Sequence, residues 1–240
     1  MIDSFRPAAI PVALSTIFFD AGGTIVYPDP ALTLAPLAAR SIFPTEEQLY
    51  AAERVAKREL DSARAGHHSV DAQYWDIYYL RLFQELGLAD DPEIRAALVA
   101  ASRKGTNWRR VRPDARPVLE RLKQQYRVGL ISNSDGTVRQ LFEMLKLDDC
   151  FDCFTDSRLC GFEKPDPRIF ECALASLGAT AEQSLYVGDV YSVDHLGAQA
   201  VGMSAILMDI AGVYRETPYP RVESLTELAA RIDEIHPNLG

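Results

Sequence analysis

The chain has 240 residues, of which 48% are hydrophobic and 25% are charged. These values are typical of a globular protein, so disordered, collagen-like and low-complexity classes are excluded, and the length allows a sizeable apolar core. The formal net charge is −9, whereas a protein that binds a nucleic-acid backbone needs a basic face. We therefore expect no nucleic-acid partner.

The sequence carries no pattern typical of a membrane or secreted protein. No stretch reaches the roughly 18 consecutive apolar residues that a membrane helix needs. The run from Ala8 to Phe19 resembles the apolar part of a secretory signal, but no basic segment precedes it, since Asp3 offsets Arg6. The four cysteines are too few for a disulfide scaffold. Cys153 and Cys172 are expected to be core thiols, whereas Cys160, near Lys164, is a candidate for solvent exposure. We predict a cytoplasmic protein without a membrane partner.

Four short apolar segments share one design, in which a buried strand runs into a polar loop. They comprise residues 16–20, 127–132, 184–189 and 204–209. Helical patterns separate these strands, with starts marked by Asp114, by Asp166-Pro167 and by the capping box Ser224-Leu-Thr-Glu227. Strands that alternate with helices predict an α/β fold with a parallel, Rossmann-like sheet.

Residues 30–110 differ from the rest of the chain, because no strand pattern interrupts them. Thr45-Glu-Glu-Gln48 is a capping box ahead of one amphipathic segment, a stripe of aromatic and leucine residues spans 75–86, and Asp91-Pro92 begins a third helix. We interpret the stripe as helix–helix core rather than a cofactor site. The sequence thus predicts an all-helical cap inserted into the α/β core. The predicted boundaries are 1–29 and 111–240 for the core and 30–110 for the cap.

The candidate site follows from where the strands end. Ligands of an open α/β sheet bind beyond the carboxyl ends of its strands, which brings Asp20, Ser132 and Asp189 to one edge. Lys164 lies in the segment between the last two of these. Carboxylates from two strands suit a hard cation such as Mg²⁺, and a hydroxyl with an ammonium suits an anionic group such as phosphate. Asn133 is a candidate substrate contact, although hydrogen bonding at a helix start explains it equally well.

Four motifs in order carry a family resemblance. They are Asp20-Ala-Gly-Gly-Thr24, the strand that ends in Ser132, Lys164-Pro-Asp-Pro167, and Gly188-Asp-Val-Tyr-Ser-Val-Asp194. Together they resemble the haloacid dehalogenase-like (HAD) hydrolase superfamily over nearly the whole chain. The helical insertion after the first motif resembles the C1 cap of its subfamily I.

The resemblance implies a metal site and a role for each motif. Mg²⁺ would bind the carboxylates of Asp20 and Asp189 and the main-chain carbonyl of Gly22, with Asp194 as support. Asp20 would also be the nucleophile that forms an aspartyl-phosphate. The family pattern further implies that Ser132 hydrogen-bonds the transferring group and that Lys164 neutralises charge between nucleophile and substrate. The expected substrate is a small phosphorylated metabolite; the sequence carries no sign of an oligomeric state.

One position departs from the family pattern. The family's second aspartate, which protonates the leaving group and later activates water, is Gly22 here. A positioned acid/base contributes about 10²–10⁴ in rate, so we expect weak or altered activity on ordinary alkyl phosphates.

Three alternatives remain open at the level of sequence. Dehalogenases of the family attack carbon without a metal, but the intact Gly188-to-Asp194 motif argues against that chemistry. Phosphonatases use a cap lysine as a Schiff base, and Lys57 lies among charged neighbours, which predicts a solvated surface lysine. The third alternative is a non-catalytic protein that binds a phosphoryl ligand. The basic run at 103–116 is interpreted as a solvated face rather than a surface that attracts substrate.

Overall fold

The computed structural model describes residues 10–62 and 70–237. Asp3, Arg6 and the first two residues of the signal-like run, Ala8 and Ala9, lie outside the described residues. The strands are β1 (Thr16–Phe19), β2 (Val26–Tyr27), β3 (Arg110–Val111), β4 (Arg127–Ser132), β5 (Cys153–Asp156), β6 (Ser184–Gly188), β7 (Ser204–Met208) and β8 (Arg221–Val222). The helices are α1 (Pro30–Thr33), α2 (Ala35–Ala38), α3 (Glu46–Ser62), α4 (Val70–Glu85), α5 (Pro92–Ser102), α6 (Ala115–Lys123), α7 (Val138–Met144), α8 (Ser157–Cys160), α9 (Pro167–Leu177), α10 (Leu196–Ala200) and α11 (Leu225–Ile235).

The main sheet has six strands in the order β5-β4-β1-β6-β7-β8, and each neighbouring pair runs parallel. This confirms the predicted α/β fold with a parallel sheet. From β1 the chain builds outward through β4 and β5 on one side, and then returns to add β6, β7 and β8 on the other. The reversal makes the carboxyl end of β1 a topological switch point, the place where open α/β sheets bind ligands.

The central strand is buried on both faces, as a parallel sheet between two helical layers requires. Ile17 and Phe19 belong to one apolar cluster and Phe18 to another, and all three have zero exposure. This alternation follows from the two-residue period of a strand, which turns successive side chains to opposite faces.

A short antiparallel ribbon, which the sequence did not predict, stands where the chain enters and leaves the helical insertion. Val26 pairs with Val111 and Tyr27 with Arg110. Two-residue strands are too short to show a periodic pattern. The same reason explains why β8 was not predicted.

Helices α1–α5 form the helical insertion, described over residues 30–62 and 70–102. Thr45 and Gln48 make the predicted reciprocal cap: the Gln48 side chain accepts from Thr45 N at 2.9 Å, and Thr45 Oγ1 accepts from Gln48 N at 3.3 Å. Trp75, Tyr79 and Phe83 are buried in the core of the insertion, which confirms the interpretation of that part of the stripe. The boundaries of the two domains stay a prediction.

Two local predictions need correction. Asp114 precedes α6 but does not cap it, because its carboxylate accepts hydrogen bonds from Thr226 N and the Arg112 side chain instead. Cys172 is exposed on α9, so the expectation of core thiols is wrong there, while Cys150 is buried. No helix within residues 10–62 and 70–237 is long and apolar enough to cross a membrane.

The fold makes a stability prediction at Gly129 in β4. A Cβ there would lie 2.6 Å from the Phe18 ring and 2.8 Å from Cys153 Sγ, inside the packed sheet. We expect Gly129→Ala to lower the free energy of unfolding by about 1–3 kcal/mol, measured by urea denaturation. The matched control is Gly105→Ala, whose Cβ would meet first the exposed Thr137 side chain, at 3.2 Å. Equal stability of the two variants would contradict the described packing.

Candidate active site

The predicted strand-end residues meet at the switch point. Asp20 directly follows β1, Ser132 ends β4 and Asp189 follows β6, and these three strands are neighbours in the sheet. Asp20 and Ser132 are 7% and 6% exposed, so both side chains lie at the bottom of a cleft rather than on the surface.

Lys164 connects these elements through its buried ammonium group. Its Nζ donates to Asp20 Oδ1 at 2.6 Å, to Asp194 Oδ1 at 2.7 Å and to the Tyr186 hydroxyl oxygen at 2.8 Å. Burial acts to lower the pKa of Lys164, but the Asp194 and Asp20 carboxylates more than offset this and raise it above its usual range. Lys164 is therefore a fixed positive charge beside Asp20.

Asn133 positions Lys164 through the backbone. Its side-chain oxygen accepts from Lys164 N at 2.7 Å, and its side-chain nitrogen donates to the Lys164 carbonyl at 3.0 Å. Both the oxygen and the nitrogen of the Asn133 amide thereby hold the loop that carries Lys164. A contact between Asn133 and substrate stays a prediction.

Asp194 organises the loop after β6 as well as the lysine. Its Oδ2 accepts from the backbone N–H groups of Asp189 and Val190, at 3.0 and 2.9 Å. A Cβ on Gly188 would lie 2.4 Å from Asp194 Cγ, so the loop packs this closely only with glycine at that position. Asp194 thus fixes both Lys164 and the backbone that presents Asp189.

Lys57 is buried at this edge, which corrects the expectation of a solvated lysine. Only 3% of it is exposed, and its Nζ donates to Asp189 Oδ2 at 2.7 Å and to Glu53 Oε1 at 2.6 Å. Burial acts to lower the pKa of Lys57, but Asp189 and Glu53 raise it well above the usual range. The sequence neighbours Arg58 and Glu59 misled the prediction, because adjacent residues of a helix point in different directions.

Helix α3 brings Lys57 to the site because the same helix docks on the α/β domain. Asp61 accepts from Ser192 N at 2.9 Å and from the Tyr214 hydroxyl at 3.0 Å. Arg54 donates to the Ala211 carbonyl at 3.2 Å. These bonds tie the helical insertion to the loop that carries Asp189 and to the loop after β7.

The aspartates form a cluster with the chemistry of a metal site. Asp20, Asp189 and Asp194 each offer an oxygen, and these oxygens lie within 4.8 Å of one another. Burial is the main cause that raises the pKa of Asp20 to about 7 and that of Asp189 to about 6, and repulsion between the carboxylates adds to it. Counted in their ionised forms, Glu53 and the three aspartates exceed the two lysines by two negative charges. One divalent cation balances that excess.

Trp108 closes the space beside Gly22. A Cβ on Gly22 would lie 2.7 Å from Cζ3 of the indole. The ring is held from behind, since Nε1 donates to the Ser102 carbonyl at 2.8 Å and Trp75 contacts it edge to face at 5.9 Å. Gly22 therefore does more than remove a carboxylate: it allows an indole to pack against the Asp20 loop.

The next residue, Gly23, lies directly against the Asp189 carboxylate. Gly23 has a φ of 69°, and a Cβ there would lie 2.1 Å from Asp189 Oδ2. Both the backbone conformation and the close approach of the carboxylate require glycine.

A cleft of about 1180 Å³ lies between the α/β domain and the helical insertion. Asp20, Ser132 and Lys164 line one side, and aromatic residues of the insertion line the other. Arg103, Arg110 and Arg112 from the basic run line it too. Arg103 and Arg110 are exposed, as the interpretation of a solvated face expects, whereas Arg112 is half-buried and donates to the Tyr27 hydroxyl at 2.6 Å, so that interpretation is wrong for Arg112. Arg116 instead pairs with Asp149 and Glu120 on the surface.

Sequence reasoning missed Glu53, Trp108 and Tyr186 at this site, and it placed Lys57 on the surface. Glu53 and Lys57 do stand four residues apart, the spacing of an ion pair on a helix, which could have marked them as a unit. The sequence pattern places Tyr186 in a buried strand and gives no sign of its contact with Lys164. Nothing in the sequence pairs Trp108 with Gly22.

Comparisons with known proteins agree with this geometry. The profile of the haloacid dehalogenase-like hydrolase family matches residues 14–202. A glyceraldehyde 3-phosphate phosphatase from Methanothermobacter thermautotrophicus is 32% identical over 205 residues, covering 82% of this chain and 86% of that protein. Phosphatase MT3486 from Mycobacterium tuberculosis is 33% identical over 128 residues, covering 52% of this chain and 57% of that protein.

Solved structures share the fold. The HAD-hydrolase YfnB from Bacillus subtilis, crystallised with magnesium bound, superposes with a TM-score of 0.64 at 20% identity and covers 92% of this chain and 99% of its own. A dehalogenase superposes with a TM-score of 0.61 at 24% identity, covering 91% of this chain and 97% of its own. With the family profile matched over most of the sequence, the chain belongs to the haloacid dehalogenase-like hydrolases.

Proposed function

We propose that this hydrolase cleaves phosphate monoesters with Mg²⁺, through an aspartyl-phosphate on Asp20. One observation carries the proposal: the Lys164 ammonium lies between Asp20 and Asp194 at the sheet edge where three aspartates converge. A phosphoryl group that approaches Asp20 there meets a fixed positive charge, which stabilises the charge that develops during transfer. The phosphatases among the relatives support the same chemistry.

The residues present fit a hard divalent cation. The donor set is entirely oxygen, since Asp20, Asp189 and Asp194 each offer a carboxylate oxygen. By the family pattern, Asp20, Asp189 and the main-chain carbonyl of Gly22 would be the ligands, with Asp194 as support. The two excess negative charges at this edge are the electrostatic counterpart. When bound, Mg²⁺ supplies positive charge to the phosphoryl oxygens. The magnesium in YfnB, which has the same fold, favours Mg²⁺ as the metal.

The protein side chains then divide the work. Asp20 attacks phosphorus and takes up the phosphoryl group as the leaving-group oxygen departs. Lys164 holds the attacking carboxylate in place and balances its charge. Ser132 hydrogen-bonds an oxygen of the transferring group, and the helical insertion excludes water from the cleft.

The leaving group receives no proton from position 22. In place of a carboxylate, the Trp108 indole packs there. Substrates whose leaving group departs as a stable anion are therefore favoured over alkyl phosphates.

Lys57 of the helical insertion lies at the site, as the phosphonatase alternative requires, but its surroundings do not suit Schiff-base formation. Lys57 reaches the site from the helical insertion, as a Schiff-base lysine must. Its Nζ is bound to two carboxylates at 2.6 and 2.7 Å, which hold it as an ammonium ion, whereas a Schiff base needs a neutral amine. The geometry favours a charge-balancing role for Lys57.

The first prediction tests the metal and the nucleophile. Millimolar Mg²⁺ should raise the melting temperature, because a ligand that binds only the folded state stabilises it. Asp189→Asn should abolish this shift, whereas Glu182→Gln, an exposed carboxylate elsewhere, should retain it. Asp20→Asn should lower turnover of 4-nitrophenyl phosphate by at least about 10³-fold. A melting curve that Mg²⁺ leaves unchanged would contradict the metal site.

The second prediction concerns the leaving group. The wild-type protein should hydrolyse acetyl phosphate and 4-nitrophenyl phosphate roughly 10²-fold faster than glycerol phosphate, because only the last needs an acid. Steady-state kcat/KM with Mg²⁺ measures the ratio. Similar values for all three would show that another group supplies the proton.

The third prediction couples position 22 to Trp108. Gly22→Asp alone should fail to improve alkyl-phosphatase activity, because its Cβ meets the indole at 2.7 Å. The backbone itself is no obstacle, since Gly22 is absent from the glycines with positive φ. The double variant Gly22→Asp with Trp108→Leu should raise kcat on glycerol phosphate roughly tenfold or more over Trp108→Leu alone.

The matched control is the single Trp108→Leu variant, which makes room but adds no acid. A gain from Gly22→Asp alone would show that the indole moves freely. A folded double variant that binds Mg²⁺ without any gain would contradict the assignment of position 22 as the missing acid.

A further inference from the structure

The cleft has two chemically different sides. The α/β domain contributes Asp20, Ser132 and Lys164, which suit a phosphoryl group. The helical insertion and its exit segment contribute Tyr74, Trp75, Tyr78 and Trp108. A phosphate ester bound at Asp20 therefore points its organic part toward rings.

These rings form one connected surface. Trp108 lies against the Asp20 loop at Gly22, and Trp75 contacts it edge to face with centroids 5.9 Å apart. Tyr78 meets Trp75 edge to face at 5.5 Å, and Tyr74 stacks on Tyr78 at 6.0 Å. The surface thus runs without interruption from the reacting end of the cleft into the helical insertion.

Half of the charged side chains that line the cleft are exposed to solvent. They are Glu46, Arg103, Arg110, Asp135, Arg158 and Glu163. A polyhydroxylated leaving group would lose hydrogen bonds to water where it packs against the rings. An aromatic leaving group would instead gain edge-to-face or offset-stacked contacts.

The lack of an acid at position 22 also favours an aromatic leaving group. A phenol has a pKa of about 10, against about 15.7 for water, so a phenolate departs far more readily without an acid. The Asp20 carboxylate oxygen would form a bond to phosphorus while the bond from phosphorus to the aryl oxygen breaks. The phenolate leaves with the electron pair and takes a proton from water. Water then attacks the aspartyl-phosphate, restores the carboxylate and releases inorganic phosphate with a proton to solvent.

We propose that the substrates are aryl phosphates, whose ring packs against Trp108, and that Trp108 is the residue that selects them. This inference rests on the proposed phosphatase function. It names the substrate class through two independent features, a wall of rings and the lack of an acid beside the nucleophile.

Binding of inert phosphonates to the full chain with Mg²⁺ tests the ring site without turnover. Calorimetric titration should give phenylphosphonate an affinity at least tenfold above that of methylphosphonate. It should also exceed cyclohexylphosphonate, a ring of similar size without π electrons, by roughly threefold. Equal affinities for phenyl and methyl compounds would overturn the inference.

Variants locate the effect. Trp108→Leu should remove most of the preference for phenylphosphonate and leave methylphosphonate affinity unchanged. Tyr78→Leu should reduce it in the same direction, and it decides the question if Trp108→Leu does not fold, as judged by circular dichroism. Phe43→Leu removes an aromatic side chain of the insertion that is 74% exposed, outside the cleft lining, and should keep the full preference.

The two proposals fail in different ways. Hydrolysis of acetyl phosphate without any preference for phenylphosphonate would overturn the aryl assignment while the phosphatase function stands. Ring-dependent binding of phenylphosphonate without turnover of any phosphate ester would contradict the phosphatase function. Turnover of phenyl phosphate with a kcat/KM that falls more in Trp108→Leu than the kcat/KM of acetyl phosphate would support both.

Discussion

The buried ammonium of Lys164 is the interaction on which the rest of the site depends. A charge at 3% exposure costs several kcal/mol unless it is fully paired, and Lys164 meets that demand with Asp20, Asp194 and Tyr186. These partners come from the end of β1, the loop after β6 and β6 itself. The lysine can therefore be buried only when the central strands are in register and the loop is folded. The geometry of the candidate site and the folding of the sheet are therefore enforced by the same contacts.

Much of this could be predicted from the sequence, because it follows from rules of parallel sheets. Apolar runs that end in Asp20, Ser132 and Asp189 predict strands, and the switch-point rule then brings these residues together without further information. The position of Lys164 relative to Asp20 depends on a family motif, whereas its use of Tyr186 follows from the side of β6 on which that residue lies. The sequence shows the run of β6 but not what its inward side chains meet.

The residues that could not be predicted all depend on how the helical insertion packs. Lys57 lies among charged residues of α3, and only the docking of that helix through Asp61 decides that it faces Asp189 rather than water. The approach of Trp108 to Gly22 joins residues on either side of the whole insertion. Helix periodicity identifies a face but not its partner, so such contacts between distant segments leave no local pattern.

The two buried lysines come from different parts of the chain, and each neutralises a different pair of carboxylates. Lys164 belongs to the α/β domain and neutralises Asp20 and Asp194, whereas Lys57 comes from the helical insertion and neutralises Asp189 and Glu53. The balance at Asp189 therefore depends on the packing of α3, and an insertion that moved away would leave that carboxylate unpaired beside two others. Glu53 moves with Lys57, so the docked helix brings no net charge from this pair. The excess of two negative charges at the sheet edge thus belongs to the aspartates and persists however the insertion packs. A divalent cation would therefore balance the charge of the site in any position of the helical insertion.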